Sequence, residues 1–345
     1  MRAQVLSAFD GPAGFEPREV SEPKLTVPSE VRVKVEACGV CHRDITWSSG
    51  KFGAAALPRI LGHEAAGVVV EVGDDVSGLT PGDRVVHLQF PFCGACEACR
   101  SGKPAACDQA RRAIGEERDG AYADEVVLPA DIVAKIPGDI PSAEAAVTAC
   151  TLGTAYHALR LYGFDPRGRT VAINGAGGGV GLQALQVARA LGARVIATTT
   201  SPGKEDAIRQ AGAHDVVVAP DGGYRKPITA LTEGRGADLF LEIVGAPTMP
   251  ESLLSVRRGG RVVVLGNPEG GTFELNPGLL ILRGELMMYG SMSMTLDELK
   301  EVLEIVASGR VSPIIDSVVP LDELSEQMFR MQARESVGRV VVTPG

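Results

Sequence analysis

Four cysteines crowd into the segment PFCGACEACRSGKPAAC: Cys93, Cys96, Cys99 and Cys107, spaced C-x2-C-x2-C-x7-C. Thiolates set this closely suit a tetrahedral Zn2+, which takes four soft ligands at about 2.3 Å. Two disulfides are the alternative, but a bridge closed within C-x2-C is strained, and such bridges belong mainly to small secreted domains. The spacing therefore predicts a closed structural zinc site. Of the seven cysteines in the chain, Cys38, Cys41 and Cys150 remain to be explained.

A second chemical signature is NGAGGGVGLQALQ, in which a β-rich run enters a turn almost devoid of side chains and a helical pattern follows. Such a turn lets backbone N–H groups approach a pyrophosphate, and the helix N-terminus favours its charge. Ala176, Gly178 and Gly181 fill the G-x-G-x-x-G frame, with Gly175 and Gly179 alongside, so Gly178, Gly179, Val180 and Gly181 are the expected phosphate contacts. A plain tight turn is the bland alternative. The next strand ends Thr198-Thr199-Thr200-Ser201, with Lys204 beyond it and no carboxylate to hold a ribose 2′-hydroxyl. Thr199, Thr200, Ser201 and Lys204 therefore favour NADP(H) over NAD(H). The alternative for Lys204 is a solvated lysine at a helix start.

These groups need elements to position them. Through residue 135 the sequence reads as short strands broken by turns: VRVKVEACG, AAGVVVEVG, GDRVVHLQF and AYADEVVLP. From about residue 150 strands and helices alternate (TVAI, LQALQVARALGA, ARVIATTT, EDAIRQAGA, DVVVA, ADLFLEIVG, GRVVVLGN, LMMYGS), which predicts a doubly wound parallel sheet in an α/β protein. The predicted first helix turns apolar positions 182, 185, 187, 188 and 191 to one side. A terminal helix, LDELKEVLEIVASG, and strand, VGRVVVTP, are expected to return to the first domain. Val244, Gly245, Gly266 and Asn267 end strands at the carboxyl edge of the sheet, where ligands bind in such folds, and should run beside a nicotinamide. Gly259 and Gly260 read as plain turn residues.

The length of 345 residues fits two domains, each with its own core. A net charge of −9 without a basic stripe argues against nucleic acid. The N-terminus shows no secretory pattern, and no apolar run reaches the ~20 residues of a spanning helix. The expectation is a cytoplasmic protein acting on a small molecule, away from membranes, with its thiols reduced.

Cys41 in GVCHRDI, His63 with Glu64 in LGHEAAG, and Cys150 in AAVTACTLGTAYHAL lie too far apart for spacing to join them. Here the chain resembles the zinc-containing medium-chain alcohol dehydrogenase superfamily over essentially its whole length. GHEAAGVVVEVGDDV is similar to the G-H-E-x2-G signature, PGDRV follows it, and the four-cysteine lobe and two-domain order match. The resemblance implies a GroES-like, mainly-β catalytic domain at 1–151 with a zinc lobe at about 90–110, a Rossmann domain at 152–288, and a return to the catalytic domain at 289–345. It places Cys41, His63 and Cys150 on the catalytic-zinc ligand positions, giving two zinc ions per chain. Asp44 and Glu64 fall beside those ligands, Thr154 on the position contacting the nicotinamide, and His42 on a pyrophosphate contact. A three-ligand zinc with an open position polarises a carbonyl or acidifies an alcohol while hydride passes to or from nicotinamide. By family analogy LMMYGS would pair with its twin in a homodimer or homotetramer.

The match departs from the pattern at Arg43. Family alcohol dehydrogenases carry Ser or Thr there to relay the alcohol proton, and Arg cannot do this. A histidine often follows three residues later, where this chain has Thr46. The GAGGGVG turn is more similar to the quinone- and enoyl-reductase branches. Cys41-His42-Arg43-Asp44 and LGNPEGGTFELNPGLLILRGELMMYGSMS are similar to zinc-ligand-bearing members that include short enoyl-CoA reductases. Three readings stand: a zinc-dependent alcohol dehydrogenase or aldehyde reductase; an NADPH-dependent enoyl-CoA or alkenal reductase, which needs no alcohol relay; and a binding protein that keeps the fold without turnover. Arg43 would pair with a phosphate of the cofactor or of coenzyme A, or with Glu36, Glu64 or Glu71. Trp47 lines a substrate pocket or simply packs. Cys38 reads as a buried strand residue, and His87, His157 and His214 as satisfied or exposed.

Overall fold

The computed structural model describes residues 1–51, 56–107, 113–268 and 270–345, so the last residues of the expected zinc lobe lie outside the described residues. The chain divides into two compact units, Met1–Gly153 with Ser293–Gly345, and Thr154–Met292.

The first unit is built on the strand Glu30–Gly39. Its valines at 31, 33 and 35 are buried and alternate with more exposed neighbours, the period-2 pattern of a strand with one face in the core. It pairs antiparallel with Ala65–Val72 on one side, and with Glu125–Pro129 and Arg339–Thr343 on the other. Across the whole sheet the order runs Ile315–Pro320, Arg339–Thr343, Glu30–Gly39, Ala65–Val72, Arg84–His87, Val133–Lys135. The last strand of the chain thus returns to this unit. Its register places Val341 opposite Gly39 and Val342 opposite Cys38, which sets Arg339 beside the end of the strand that leads to Cys41.

The second unit is a six-stranded parallel sheet ordered Asp215–Val218, Arg194–Thr199, Thr170–Ile173, Ala237–Glu242, Val256–Val264, Met287–Gly290. In chain order this is 3-2-1-4-5-6, the doubly wound Rossmann arrangement, in which the order reverses beside the first strand. The helix Gly179–Ala190 follows that strand and buries Leu182, Leu185, Val187 and Ala188 as expected. Leu191 caps the helix and is only half-buried. The helices Arg225–Leu231, Met249–Ser255 and Pro277–Leu282 were not legible in the sequence; each is a turn or two long and carries Pro in its first turn. Gly259 and Gly260 are not turn residues between elements. They lie inside the strand Val256–Val264, at the bulge where pairing jumps from Ala237–Val256 to Leu239–Arg261. Among the described residues, no helix is long and apolar enough to cross a membrane.

Candidate functional site

Cys41 ends the extended segment after Glu30–Gly39 and caps the helix His42–Ser48. Its Sγ accepts from Arg43 N (3.4 Å), while its own N–H donates to Asp44 Oδ2 (3.1 Å). This reciprocal arrangement is a capping box in which cysteine takes the place of serine. The other oxygen of the same carboxylate, Asp44 Oδ1, accepts from His63 Nδ1 (3.1 Å), and Tyr122 OH donates to Asp44 Oδ2 (2.7 Å). One buried carboxylate therefore fixes the backbone of Cys41 and the tautomer of His63 together. In the neutral imidazole this hydrogen bond puts the proton on Nδ1 and the lone pair on Nε2.

That Nε2 is buried and has no hydrogen-bond partner. Cys41 Sγ and Cys150 Sγ stand 3.9 Å apart, close to the about 3.8 Å between two thiolates on one tetrahedral zinc. Ligand atoms of Cys41, His63, Glu64 and Cys150 all lie within 4.8 Å of one another. Cys150 reaches this cluster from a π-helical turn, Thr148–Gly153, the kind of irregular helix that favours functional sites. An unpartnered imidazole nitrogen facing two sulfurs in a dry interior is a donor set suited to a divalent soft-to-borderline cation, so the residues fit zinc.

Glu64 is held by Arg339, which donates Nε to Oε2 (2.9 Å) and Nη2 to Oε1, and also reaches Cys150 Sγ (3.5 Å). Gly39 makes room for this carboxylate: a Cβ there would stand 2.2 Å from Glu64 Oε2. The hydrogen bond from Cys150, helped by Arg339, pulls the Cys41 thiol well below its ordinary range, and the same contact with Cys41 pushes Cys150 up. Burial works against a charged His63, but the Asp44 carboxylate and the Cys41 sulfur outweigh it and hold the imidazole well above its usual value. Burial raises the Glu64 carboxyl in spite of Arg339. The cluster thus gathers acidic groups around one guanidinium, a balance that a divalent cation completes. Replacing Asp44 with Asn removes the charge that orients His63, and metal affinity should fall about 10–100-fold; competition with a chromogenic chelator measures it.

The Arg43 side chain pairs with Glu116. It donates Nε and Nη2 (2.9 Å) to the two oxygens of Glu116, which also accepts from Gln89 Nε2 (2.9 Å), and its guanidinium lies over the Phe90 ring. The ion pair expected with Glu36, Glu64 or Glu71 is made instead with Glu116, a residue from a loop that no local pattern connects to Arg43. Thr46 Oγ1 donates to the His42 carbonyl (3.0 Å). Trp47 is buried against Phe9. Cys38 is buried in its strand. His214 accepts from Val195 N (3.0 Å), His157 is buried, and His87 is buried with Nδ1 on the Leu88 carbonyl (2.9 Å).

In the cysteine lobe Cys93 and Cys99 stand 3.9 Å apart, as do Cys96 and Cys107, and all four sulfurs lie within 4.8 Å. Backbone N–H groups of Cys96 and Cys99 donate to Cys93 Sγ (3.3 Å) and Cys96 Sγ (3.5 Å). Donation from the Ala95 and Cys96 amides brings the Cys93 thiol down to about 6. None of the four is disulfide-bonded.

In the second unit, Gly178 caps the helix that Gly179, Val180 and Gly181 begin, so the first-turn amides have no intrahelical acceptor. Gly181 could carry no side chain, because a Cβ would sit 2.3 Å from the Gly175 carbonyl oxygen. The Lys204 stem crosses the turn, its Cδ 2.7 Å from where a Cβ on Gly177 would be. Ser201 N donates to Thr199 Oγ1 (3.1 Å), and Thr200 is exposed. Ala246 N donates to Asn267 Oδ1 (3.0 Å), and Gly245, at φ +96°, has no room for a Cβ beside Asn267; Gly266 packs on Ile243. The structure thus brings Val244, Gly245, Gly266 and Asn267 together at one sheet edge. Thr154 opens the helix Thr154–Arg160, and His42 is half-buried in the first turn of its helix.

Two family models match this chain: the alcohol dehydrogenase GroES-like domain over residues 27–138 and the zinc-binding dehydrogenase domain over 179–308. An acryloyl-coenzyme A reductase of Sulfurisphaera tokodaii is 34% identical over 96% of this chain and 97% of its own length. An alcohol dehydrogenase of Geobacillus stearothermophilus is 36% identical over 99% and 98%. Among solved structures, AibC matches with a TM-score of 0.93 at 42% identity, covering 100% of this chain and 96% of its own. An NAD-dependent alcohol dehydrogenase matches with a TM-score of 0.93 at 32% identity, covering both chains fully. The chain belongs to the medium-chain, zinc-binding alcohol dehydrogenase superfamily, and it is an oxidoreductase of that family.

Proposed function

We propose that this oxidoreductase moves hydride between NADP(H) and a small alcohol or carbonyl compound, at a zinc ion held by Cys41, His63 and Cys150, with a second zinc in the cysteine lobe. The observation that carries the reading is a buried His63 Nε2 without a hydrogen bond, 3.7 Å from Glu64 Oε1 and within 4.8 Å of two sulfurs that stand 3.9 Å apart. When bound, zinc supplies Lewis acidity to a substrate oxygen, and the nicotinamide supplies or receives the hydride. The chain's own residues set the conditions for this. Asp44 fixes the His63 tautomer and the Cys41 backbone, and Tyr122 fixes Asp44. Arg339 holds Glu64 back so that its carboxylate need not complete the coordination.

A second reading, reduction of a C=C bond conjugated to a thioester or aldehyde, is favoured by the Arg43–Glu116 pair. The residue where the alcohol relay would stand is committed to a salt bridge, and the product proton would go to carbon rather than oxygen. NADPH oxidation with a short aldehyde and with acryloyl thioester separates the two. Turnover of the aldehyde, lost in Cys41→Ser, supports the first; turnover of the thioester alone, surviving Cys41→Ser, contradicts it.

The NADP(H) preference rests on Lys204, whose stem crosses the nucleotide turn, and on the absence of a carboxylate after Thr199. Lys204→Ala should weaken NADPH binding about tenfold, as for a lost contact to a charged group, and leave NADH unchanged. Fluorescence titration of both nucleotides checks it, and equal losses for the two would contradict the assignment. The reading includes a homodimer or homotetramer formed through the edge strand Met287–Gly290, on which Met288 is exposed; sedimentation velocity tests it. It also places the protein in the cytoplasm, where its thiols stay reduced.

A further inference from the structure

The carboxyl of Glu242 is completely buried at the end of the strand Ala237–Glu242, and among the described residues no Lys, Arg or His pairs with it. A buried carboxylate without a cation is costly unless neutral donors surround it. Here they do. Oε1 accepts from Asn174 Nδ2 (2.6 Å), Val244 N (2.9 Å), Gly245 N (2.8 Å) and Thr248 Oγ1 (2.8 Å), and Oε2 accepts from Ser252 Oγ. Tyr224 OH lies 2.7 Å from Ser252 Oγ and 3.0 Å from the Thr248 carbonyl oxygen.

The donors come from three places that matter to the nucleotide reading. Asn174 is the last residue before the Gly175–Gly181 turn, and its Oδ1 also accepts from Ile243 N (2.7 Å). Val244 and Gly245 form the rim at the carboxyl end of the fourth strand in chain order. Thr248 and Ser252 belong to the start of the helix Met249–Ser255 and its cap. Nothing in the sequence joins Glu242 to these residues. The burden of a buried acid is tolerated where it over-determines a backbone geometry that function needs.

We propose that Glu242 is a positioning residue for the nicotinamide half of the cofactor. It clamps the Val244–Gly245 rim to the residue that leads into the phosphate-binding turn, so that both parts of the nucleotide site keep one geometry before the ligand arrives. This rests on the nucleotide reading given above. Its work is done by accepting hydrogen bonds rather than by charge, so Gln, which keeps one carboxamide oxygen for the four Oε1 donors and can donate to Ser252, should largely replace it.

The test measures binding, not turnover. NADPH and adenosine 2′,5′-bisphosphate, which lacks the pyrophosphate and the nicotinamide, are titrated by calorimetry into the wild type, Glu242→Ala and Glu242→Gln. With the buried donors left unmatched, Glu242→Ala should weaken NADPH at least about tenfold, while adenosine 2′,5′-bisphosphate stays within about twofold and Glu242→Gln restores NADPH to within about threefold. Should Glu242→Ala fail to fold, Thr248→Val, which removes one donor and keeps the carboxyl, should weaken NADPH about threefold with the bisphosphate unchanged. Equal loss of both ligands, or tight NADPH binding in the Ala or Val variant, overturns the proposal. A wild type that binds neither NADPH nor NADH defeats the nucleotide reading itself, and this inference with it; a wild type that binds them isolates the role of Glu242.

Discussion

Cys41→Ser should leave a folded protein with one zinc per chain in place of two, and its kcat/KM should fall at least about a thousandfold. The oxygen of serine is a poor substitute for a soft thiolate, and Cys41 is one of only three ligands proposed for that ion. A thousandfold is about 4 kcal/mol of transition-state stabilisation, within the several kcal/mol that a Lewis acid supplies to a developing oxyanion. Folding should survive, because Arg43 N can cap onto the serine oxygen as it does onto sulfur, and serine is a favoured helix cap. Steady-state kinetics with elemental analysis of the same preparation checks both halves of the expectation. A variant that keeps two zinc ions, or that keeps its activity with one, contradicts the assignment.

Arg339→Met should have the largest effect on stability. Arg339 is 3% exposed and its partner Glu64 is fully buried. Removing the guanidinium strands a carboxylate among two thiols in the interior, a loss of about 3–5 kcal/mol. The double variant Glu64→Gln/Arg339→Met should recover most of that, since a hydrogen-bonding amide beside a methionine leaves no uncompensated charge. Thermal melting of the single and double variants decides it. A single variant as stable as the wild type would mean that the pair contributes nothing, and that Glu64 is neutral without it.

The order of elements could be read from the chain because its signals are local. Alternating valines in VRVKVEACG announce a half-buried strand, and a strand, a glycine turn and an apolar helical face announce a nucleotide-binding βαβ unit. The cysteine lobe was legible for the same reason, its four cysteines lying within fifteen residues. The metal cluster was not: Cys41, His63 and Cys150 meet only through strand pairing, and the family resemblance alone joined them. Arg339 and Tyr122 were missed because their roles depend on register. Arg339 reaches Glu64 across 275 residues of sequence, and Tyr122 reaches Asp44 across 78. Nothing in VGRVVVTP distinguishes a buried arginine from one that faces solvent. Glu116 and Glu242 illustrate the same limit, since a lone Glu is usually exposed and only the fold shows which ones are enclosed by donors. The short helices Met249–Ser255 and Pro277–Leu282 escaped notice because a stretch of one or two turns carries too little periodicity to register.

The central claim is that one ion binds between Cys41, His63 and Cys150, apart from the ion of the cysteine lobe. Anomalous diffraction from crystals of the zinc-loaded protein, collected on both sides of the zinc absorption edge, tests it directly. Two peaks per chain are expected, one among Cys93, Cys96, Cys99 and Cys107 and one touching Cys41, Cys150 and His63 Nε2. A single peak confined to the cysteine lobe, with zinc in excess, would contradict the account.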